Sequence, residues 1–361
     1  VIKTLQSNNC PVYFGPVGQS PLHKFLSSAE NKKAKKFILV DEHTLDSCFP
    51  RIAEQVDALK NAEIIEIESG ENNKNIEICS RIWEALSELK ADRNSIFINL
   101  GGGVIGDMGG FIASTYKRGI RFIQVPTTLL AQVDASVGGK VAIDLGGIKN
   151  LVGLFSQPQA VYIDPGFLIT LSKREMLSGF AEMIKHGLIA DKNYWEKLKK
   201  TGLEQIEQYT DLIYRSVEIK NEIVIEDPLE KGKRKLLNFG HTIGHAVEAL
   251  SLEGGRKALT HGEAIAIGIL CESRLSHRKK NLPETELSEI NSFITSLFPF
   301  YTIDEMDFHR LIEIMRNDKK NQNDSINFTL LKAIGDPVFD CSCTADEIKE
   351  SLRYYTSLKL K

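Results

Sequence analysis

The stretch IFINLGGGVIGDMGG, residues 96–110, reads as a short apolar strand, Ile96 to Leu100, that runs through a glycine turn into a helix. Consecutive glycines after a buried strand let the backbone come close to a diphosphate, whose charge is stabilised by free amides at the N-terminus of the next helix. The spacing is not GxGxxG, and such a cluster equally serves as a plain tight turn. Outward from it, other short apolar runs take the same form. Phe37 to Val40 ends at Asp41, Ile64 to Ile67 ends near Gly70, and Phe122 to Val125 runs into Pro126-Thr127-Thr128. Helical patterns such as Asn75 to Lys90 lie between them, so the order is βαβ and the predicted sheet is largely parallel, a nucleotide-binding layout. Asp41, at a strand end, can accept hydrogen bonds from an adenosine ribose or cap a helix.

From about Leu171 onward helical periodicity dominates, broken by a late strand near Ile326 to Leu331. The expected fold class is therefore α/β: a Rossmann-like N-terminal domain over residues 1–170 and a mainly α-helical C-terminal domain over 171–361, with the active site in the cleft between them. A chain of 361 residues with 42% hydrophobic content exceeds what one core usually serves. Its formal charge of -3 gives no broad pull toward nucleic acid or an anionic membrane, so the expected partner is a small molecule and anion recognition is local. The six cysteines, Cys10, Cys48, Cys79, Cys271, Cys341 and Cys343, form no CxxC pair. Cys341 and Cys343 read as structural thiols in a strand-like segment, and all six read as reduced. With no membrane-length apolar run and no signal-peptide pattern, the expected location is the cytoplasm.

A second signal is LNFGHTIGHAVE, Leu237 to Glu248, followed after a loop by His261-Gly262-Glu263. Two histidines four residues apart share a helix face, and the following turn can bring a third beside them. A lone histidine on an apolar helix is an ordinary core or surface residue, whereas three in a glycine-rich run point to a metal site. Spacing alone selects His241 and His245 and leaves open which two of the three bind. Basic and polar residues also gather among glycines: Arg118, Asp134, Lys140, Lys149 and Asn150, then Glu182, Lys185, Lys220, Glu230, Arg234, Asn238 and Asp318-Lys319-Lys320. Taken singly, such lysines are solvated surface residues. Lys140 follows Val137-Gly138-Gly139, and Lys149-Asn150 follows Gly146-Gly147, where close backbone approach suits an oxyanion. Burying cations unpaired costs several kcal/mol each, so a cleft rich in them implies a ligand with more than one negative charge, such as a phosphate plus a carboxylate.

GGGVIGDMGGFIAS, RGIRFIQVPTTLLAQVDASVGGK, GGIKNLVG, SGFAEMIKHG, EKGKRKLLNFGHTIGHAVE and HGEAIAIG follow one another in an order that resembles the 3-dehydroquinate synthase family of sugar-phosphate cyclases, from about Asp41 to Lys320. The resemblance implies a lyase of the shikimate pathway, on the way to chorismate and the aromatic amino acids, that uses NAD and zinc, with cobalt as the alternative metal. Its reaction would turn 3-deoxy-D-arabino-heptulosonate 7-phosphate into 3-dehydroquinate and phosphate by transient oxidation, phosphate elimination and intramolecular aldol closure. By the family pattern the metal ligands fall on Glu182, His241 and His261, which replaces the choice made by spacing. His245 then becomes a phosphate contact, together with Lys140, Asn150, Asn238 and the Asp318-Lys319-Lys320 segment, where either lysine can point inward. Arg118 matches an arginine that reaches the phosphate from the neighbouring subunit of a homodimer. Arg234 and Lys220 are implied for the substrate carboxylate, Asp134 and Lys185 for the ring hydroxyls, and Lys149 and Glu230 also match active-site positions. For NAD the pattern falls on Asp41, Glu71, Lys74, the Gly102-Gly103 turn, Asp107, Thr127 and Thr128, with Lys140 and Lys149 beside them. The chain departs from the family at Val141, where threonine is common, and at His43, where asparagine is. Three other readings stay open. One is a sister cyclase acting on sedoheptulose 7-phosphate or glucose 6-phosphate; another is a metal-dependent polyol dehydrogenase, which has no use for so many cations. The third is an inactive paralogue that binds NAD or a partner.

Overall fold

In strands covered on both faces, neighbouring residues serve opposite cores, and the central strands of this chain do so. Phe37, Leu39 and Phe97 pack with Ile82, Leu86, Met108 and Ile112. Ile38, Val40, Ile96, Ile98 and Leu100 pack instead with Leu22, Ile52 and Leu59. The computed structural model describes residues 2–146, 148–206, 209–253, 255–256, 258–317 and 326–360. The chain divides into two compact units, Val1–Ser172 with Glu204–Asn221, and Lys173–Leu203 with Glu222–Lys361.

The strands of the first unit are β1 (Lys3–Ser7), β2 (Cys10–Phe14), β3 (Lys36–Asp41), β4 (Glu63–Ile67), β5 (Ile96–Gly101), β6 (Arg121–Pro126), β7 (Lys140–Leu145), β8 (Ile148–Phe155) and β9 (Val161–Ile163). Its helices are α1 (Leu22–Ser27), α2 (Glu42–Ser47), α3 (Phe49–Gln55), α4 (Ile76–Glu88), α5 (Gly103–Thr115) and all but the last turn of α8 (Tyr209–Glu226). Seven strands form one sheet in the order β1-β2-β9-β6-β5-β3-β4. Only the β1–β2 pair is antiparallel. The four strands predicted from the sequence are β3, β4, β5 and β6, and the predicted helix is α4, capped where Asn75 Oδ1 accepts the Ile78 N–H at 2.9 Å. The sequence reading did not anticipate the β1–β2 hairpin or the antiparallel ribbon of β7 and β8. β8 is exposed or half-exposed along its whole length, so it lacks the buried face that marks a strand in the sequence.

The glycines of residues 101–110 divide between two tasks. Gly102 and Gly103 open α5, while a Cβ on Gly109 would collide with the Asn99 side chain and one on Gly110 with Val141. The later pair therefore lets α5 lie close on the strands, and only the earlier pair borders the turn.

The second unit holds α6 (Lys173–Ala190), α7 (Lys192–Leu198), the last turn of α8 (Tyr209–Glu226), α9 (His241–Ser251), α10 (His261–Lys280), α11 (Glu284–Leu297), α12 (Asp307–Asn317) and α13 (Ala345–Ser357), with strands β10 (Ile326–Ala333) and β11 (Asp336–Cys343). The late strand of the sequence reading is β10, but it pairs antiparallel with β11, which was not anticipated, nor was α13. Cys341 and Cys343 lie buried and free on β11, and burial pushes the Cys343 thiol up to about 12, which suits a structural thiol. Helices α9 and α10 meet through glycine. A Cβ on Gly268 would collide with the Gly240 carbonyl oxygen, and one on Gly244 would stand 2.9 Å from Ile265 Cδ1. No helix of the described residues is long and apolar enough to cross a membrane.

Candidate metal centre and anion contacts

Three helices of the second unit bring a carboxylate and two imidazoles together. Glu182 lies on α6, a helix buried along most of its length, and is itself 0% exposed. Gly240, at φ 80, turns the chain so that His241 is the first residue of α9. His261 is the first residue of α10, where Thr260 and Glu263 form a reciprocal capping box. Arg174 of α6 grips that box, its Nε and Nη2 donating to Glu263 at 2.9 and 2.6 Å, and so fixes the start of α10 against α6.

His241 Nε2 stands 3.4 Å and His261 Nε2 3.6 Å from the same atom, Glu182 Oε1. Ligand atoms held about 2.0–2.1 Å from one zinc at tetrahedral angles are about 3.4 Å apart, so both histidine-to-carboxylate spacings suit that ion. The far side of each ring is tied as metal-binding histidines require. His241 Nδ1 lies 3.1 Å from the Phe239 carbonyl, and His261 Nδ1 lies 3.2 Å from Glu248 Oε2. With Nδ1 donating to these acceptors, each ring in its neutral form would turn its Nε2 lone pair toward Glu182, so an ion there would take the place of the Nε2 proton. Burial would raise the Glu182 carboxyl, yet its ion-pair partner Lys185 and the two histidines hold it well below the carboxylate range. Burial and the Lys185 cation push His241 well below its ordinary value. For His261 the Glu182 and Glu248 carboxylates outweigh burial and lift it to about 10. His245 is exposed, its ring centre 5.0 Å from that of His241 and 5.7 Å from that of His261. One nitrogen of each of the three histidines lies within 4.8 Å of the others, so the pair chosen by spacing and the carboxylate set share His241.

Just before α9 a second knot forms. Asp227 accepts the backbone N–H groups of Lys231, Gly232 and Arg234 at 3.0, 2.7 and 3.0 Å and so folds the loop around itself. Arg234 is buried, its Nη1 donating to the Pro228 carbonyl at 2.8 Å, and Asn238 Nδ2 donates to Glu230 Oε1 at 3.1 Å. Lys319 and Lys320 lie outside the described residues.

The first unit gathers another group. Buried Lys74 donates to Asp107 Oδ2 and to Asn150 Oδ1, both at 2.6 Å, while Glu71 Oε1 stands 3.7 Å from Lys149 Nζ. Asn150 takes a left-handed φ of 52, and Asp144 Oδ1 accepts its N–H at 2.7 Å. Asp134 accepts from Lys220 Nζ through its carbonyl at 2.6 Å and its carboxylate at 2.7 Å. At the α5 N-terminus, a Cβ on Gly102 would lie 3.1 Å from Thr128 Cγ2, and the Thr127 N–H donates to the Gly101 carbonyl at 3.0 Å. Gly103 follows as the first residue of α5. Asp41 caps α2, its Oδ1 accepting the Thr44 N–H at 2.8 Å. Lys140 is exposed at the start of β7. Arg118 closes a turn in which Lys117, Arg118 and Gly119 have φ of 50, 67 and 109, and it lines a surface pocket of about 330 Å³ with Arg93 and Arg121. Two successive non-glycine residues in the left-handed region cost roughly 1–2 kcal/mol each. Strain of this kind concentrates at functional sites.

Sequence reading passed over Glu248 and Asp144. Glu248 follows His241 by seven residues, two helical turns on the same face, so α-helical spacing holds the signal that finds it.

Residues 64–178 match the model of the 3-dehydroquinate synthase N-terminal family, and residues 179–321 match that of the 3-dehydroquinate synthase C-terminal family. A 3-dehydroquinate synthase from Parabacteroides distasonis is 47% identical over 93% of this chain and 95% of its own length. Among solved structures, 2-deoxy-scyllo-inosose synthase complexed with carbaglucose-6-phosphate, NAD+ and Co2+ superposes with a TM-score of 0.85 at 26% identity, covering 98% of this chain and 99% of that one. The 2-epi-5-epi-valiolone synthase of Streptomyces hygroscopicus with NAD+ and Zn2+ gives 0.84 at 26% identity and covers 99% of both chains.

Proposed function

The chain belongs to the 3-dehydroquinate synthase family, and from that premise we propose that it converts 3-deoxy-D-arabino-heptulosonate 7-phosphate into 3-dehydroquinate and phosphate with NAD and a divalent ion, zinc or cobalt. The observation that carries the metal assignment is the convergence of His241 Nε2 and His261 Nε2 on the buried Glu182 carboxylate at 3.4 and 3.6 Å. A bound ion would supply acidification of a coordinated hydroxyl, and NAD would supply a reversible hydride acceptor.

The chain's own residues bind and orient. In the second unit Glu182, His241 and His261 hold the ion, Lys185 meets a ring hydroxyl, Arg234 grips the carboxylate, and Asn238 and His245 meet the phosphate, with Glu230 holding Asn238. Lys319 or Lys320 joins the phosphate contacts in this reading. In the first unit Lys140, Lys149 and Asn150 supply phosphate and cofactor contacts, and Asp134 with Lys220 meets the substrate. NAD is assigned to Asp41, Glu71, Lys74, the Gly102-Gly103 turn, Asp107, Thr127 and Thr128. The free amides at the α5 N-terminus suit its diphosphate. Catalysis then comes from position and charge stabilisation.

Purified protein supplied with NAD and zinc is expected to release phosphate from the heptulosonate phosphate, and a chelator is expected to stop release until zinc is restored. No release from the loaded protein would sink the assignment, and a steady rise in reduced nicotinamide on a simple polyol would favour the dehydrogenase reading instead.

The proposal includes a homodimer in which Arg118 acts on the partner's substrate. Leu145, Ile148 and Val152 are exposed on one face of the β7–β8 ribbon and Phe155 on the other, apolar groups suited to contact with a second copy, and Leu154 of that ribbon lines the Arg118 pocket. Arg118→Ala and His241→Ala chains, each inactive alone, are then expected to recover about a quarter of wild-type activity when dissociated and mixed, because half the dimers are mixed and each has one intact site. No recovery in confirmed mixed dimers would refute the shared site.

A further inference from the structure

Glu272 lies in the second half of α10 and is fully buried, but its carboxylate leaves its own helix. Oε2 accepts the Gly240 N–H at 2.6 Å and Oε1 accepts the Ile243 N–H at 3.1 Å. Those two donors flank His241. The first N–H groups of a helix have no partner within it, and glycine as N-cap brings no side chain to supply one. The cap of α9, which begins on a histidine of the metal centre, therefore comes from α10, which itself begins on His261. The contact is possible because Gly240 and Gly268 let the two backbones touch.

Burial raises the Glu272 carboxyl, and the N–H groups of Gly240, Thr242 and Ile243 work against that rise by favouring its charged form. Among the described residues no cation pairs with it, so the start of α9 is its whole support. A carboxylate at a helix N-terminus is favoured by the helix dipole as well as by the hydrogen bonds. An apolar residue would pack in the same place without the cost of desolvation.

We propose that Glu272 is a positioning residue for the metal centre: by clamping Gly240 and Ile243 to α10 it fixes the direction of the His241 ring toward Glu182 and His261, and with it the affinity for the ion. The inference rests on the metal-centre reading above, and the test separates the two. Full-length chain stripped by a chelator is titrated with Co2+, following the visible absorption of the bound ion, alongside circular dichroism of the fold. Glu272→Gln keeps the size but turns an amide NH2 toward one of the two N–H donors. Its Co2+ dissociation constant is expected to rise about 10- to 100-fold with an altered visible spectrum, as loss of support behind a ligand does elsewhere. A folded Glu272→Gln chain with wild-type affinity and spectrum overturns the proposal, even if its melting temperature falls. If that variant does not fold, Glu272→Asp, which draws the carboxylate back by one methylene, carries the same expectation and the same refutation. A wild-type chain that binds no Co2+ overturns the metal-centre reading itself.

Discussion

His241→Ala is expected to lose zinc at concentrations that saturate the wild type, with phosphate release reduced by more than about 100-fold, the upper end of what loss of a mere supporting contact costs. In the proposed site the imidazole supplies one of three donor atoms, and the Phe239 carbonyl cannot replace it, because it lies behind Nδ1, on the side away from Glu182. Folding should survive. His241 stands at the first position of α9, and alanine is the best helix former there. Metal content per folded chain, measured by plasma emission, is the decisive quantity. His245→Ala is the informative partner, because it removes the exposed member of the histidine cluster and is expected to leave the metal in place while weakening phosphate binding. Full zinc in the His241 variant, or loss of zinc in the His245 variant, would return the ligand pair to another choice among the three histidines.

Gly268→Ala should do comparable damage by a steric route. The added methyl would lie on the Gly240 carbonyl oxygen, and neither backbone is free to retreat, since the Gly240 N–H is held by Glu272 from the same helix that carries the methyl. Overpacking of this kind costs about 1–3 kcal/mol or more. It also moves the residue that begins α9, so the folded fraction should bind zinc more weakly. Urea unfolding of the metal-free chain gives the first effect and Co2+ titration well below the unfolding midpoint gives the second. Unchanged values in both would show that α9 and α10 do not meet backbone to backbone at this point.

The sequence displayed what lies inside continuous apolar runs. β3, β5 and β6 were legible because most of their residues are buried, and β4 through its short apolar run although only Ile65 of it is buried, whereas β8 has little buried surface to announce it and β11 buries only Cys341 and Cys343, at its end. At the metal centre, helical spacing singled out His241 and His245 and could add His261 only through the turn before it. Glu182 is silent to periodicity, for α6 is buried nearly all round and a carboxylate within it marks no face. Only the likeness of SGFAEMIKHG to the family motif pointed to that residue. The Glu272 clamp was out of reach altogether, since it depends on how closely two helices approach and not on the pattern of either one.

All six cysteines are buried, and burial raises the thiols of Cys10, Cys48, Cys79, Cys271 and Cys343. Because thiolate is the species that peroxides attack, the folded chain offers them little to react with. A cation held only by carboxylate and imidazole, with sulfur kept out of its coordination, would stay seated under oxidant stress that strips thiolate-bound zinc from other proteins.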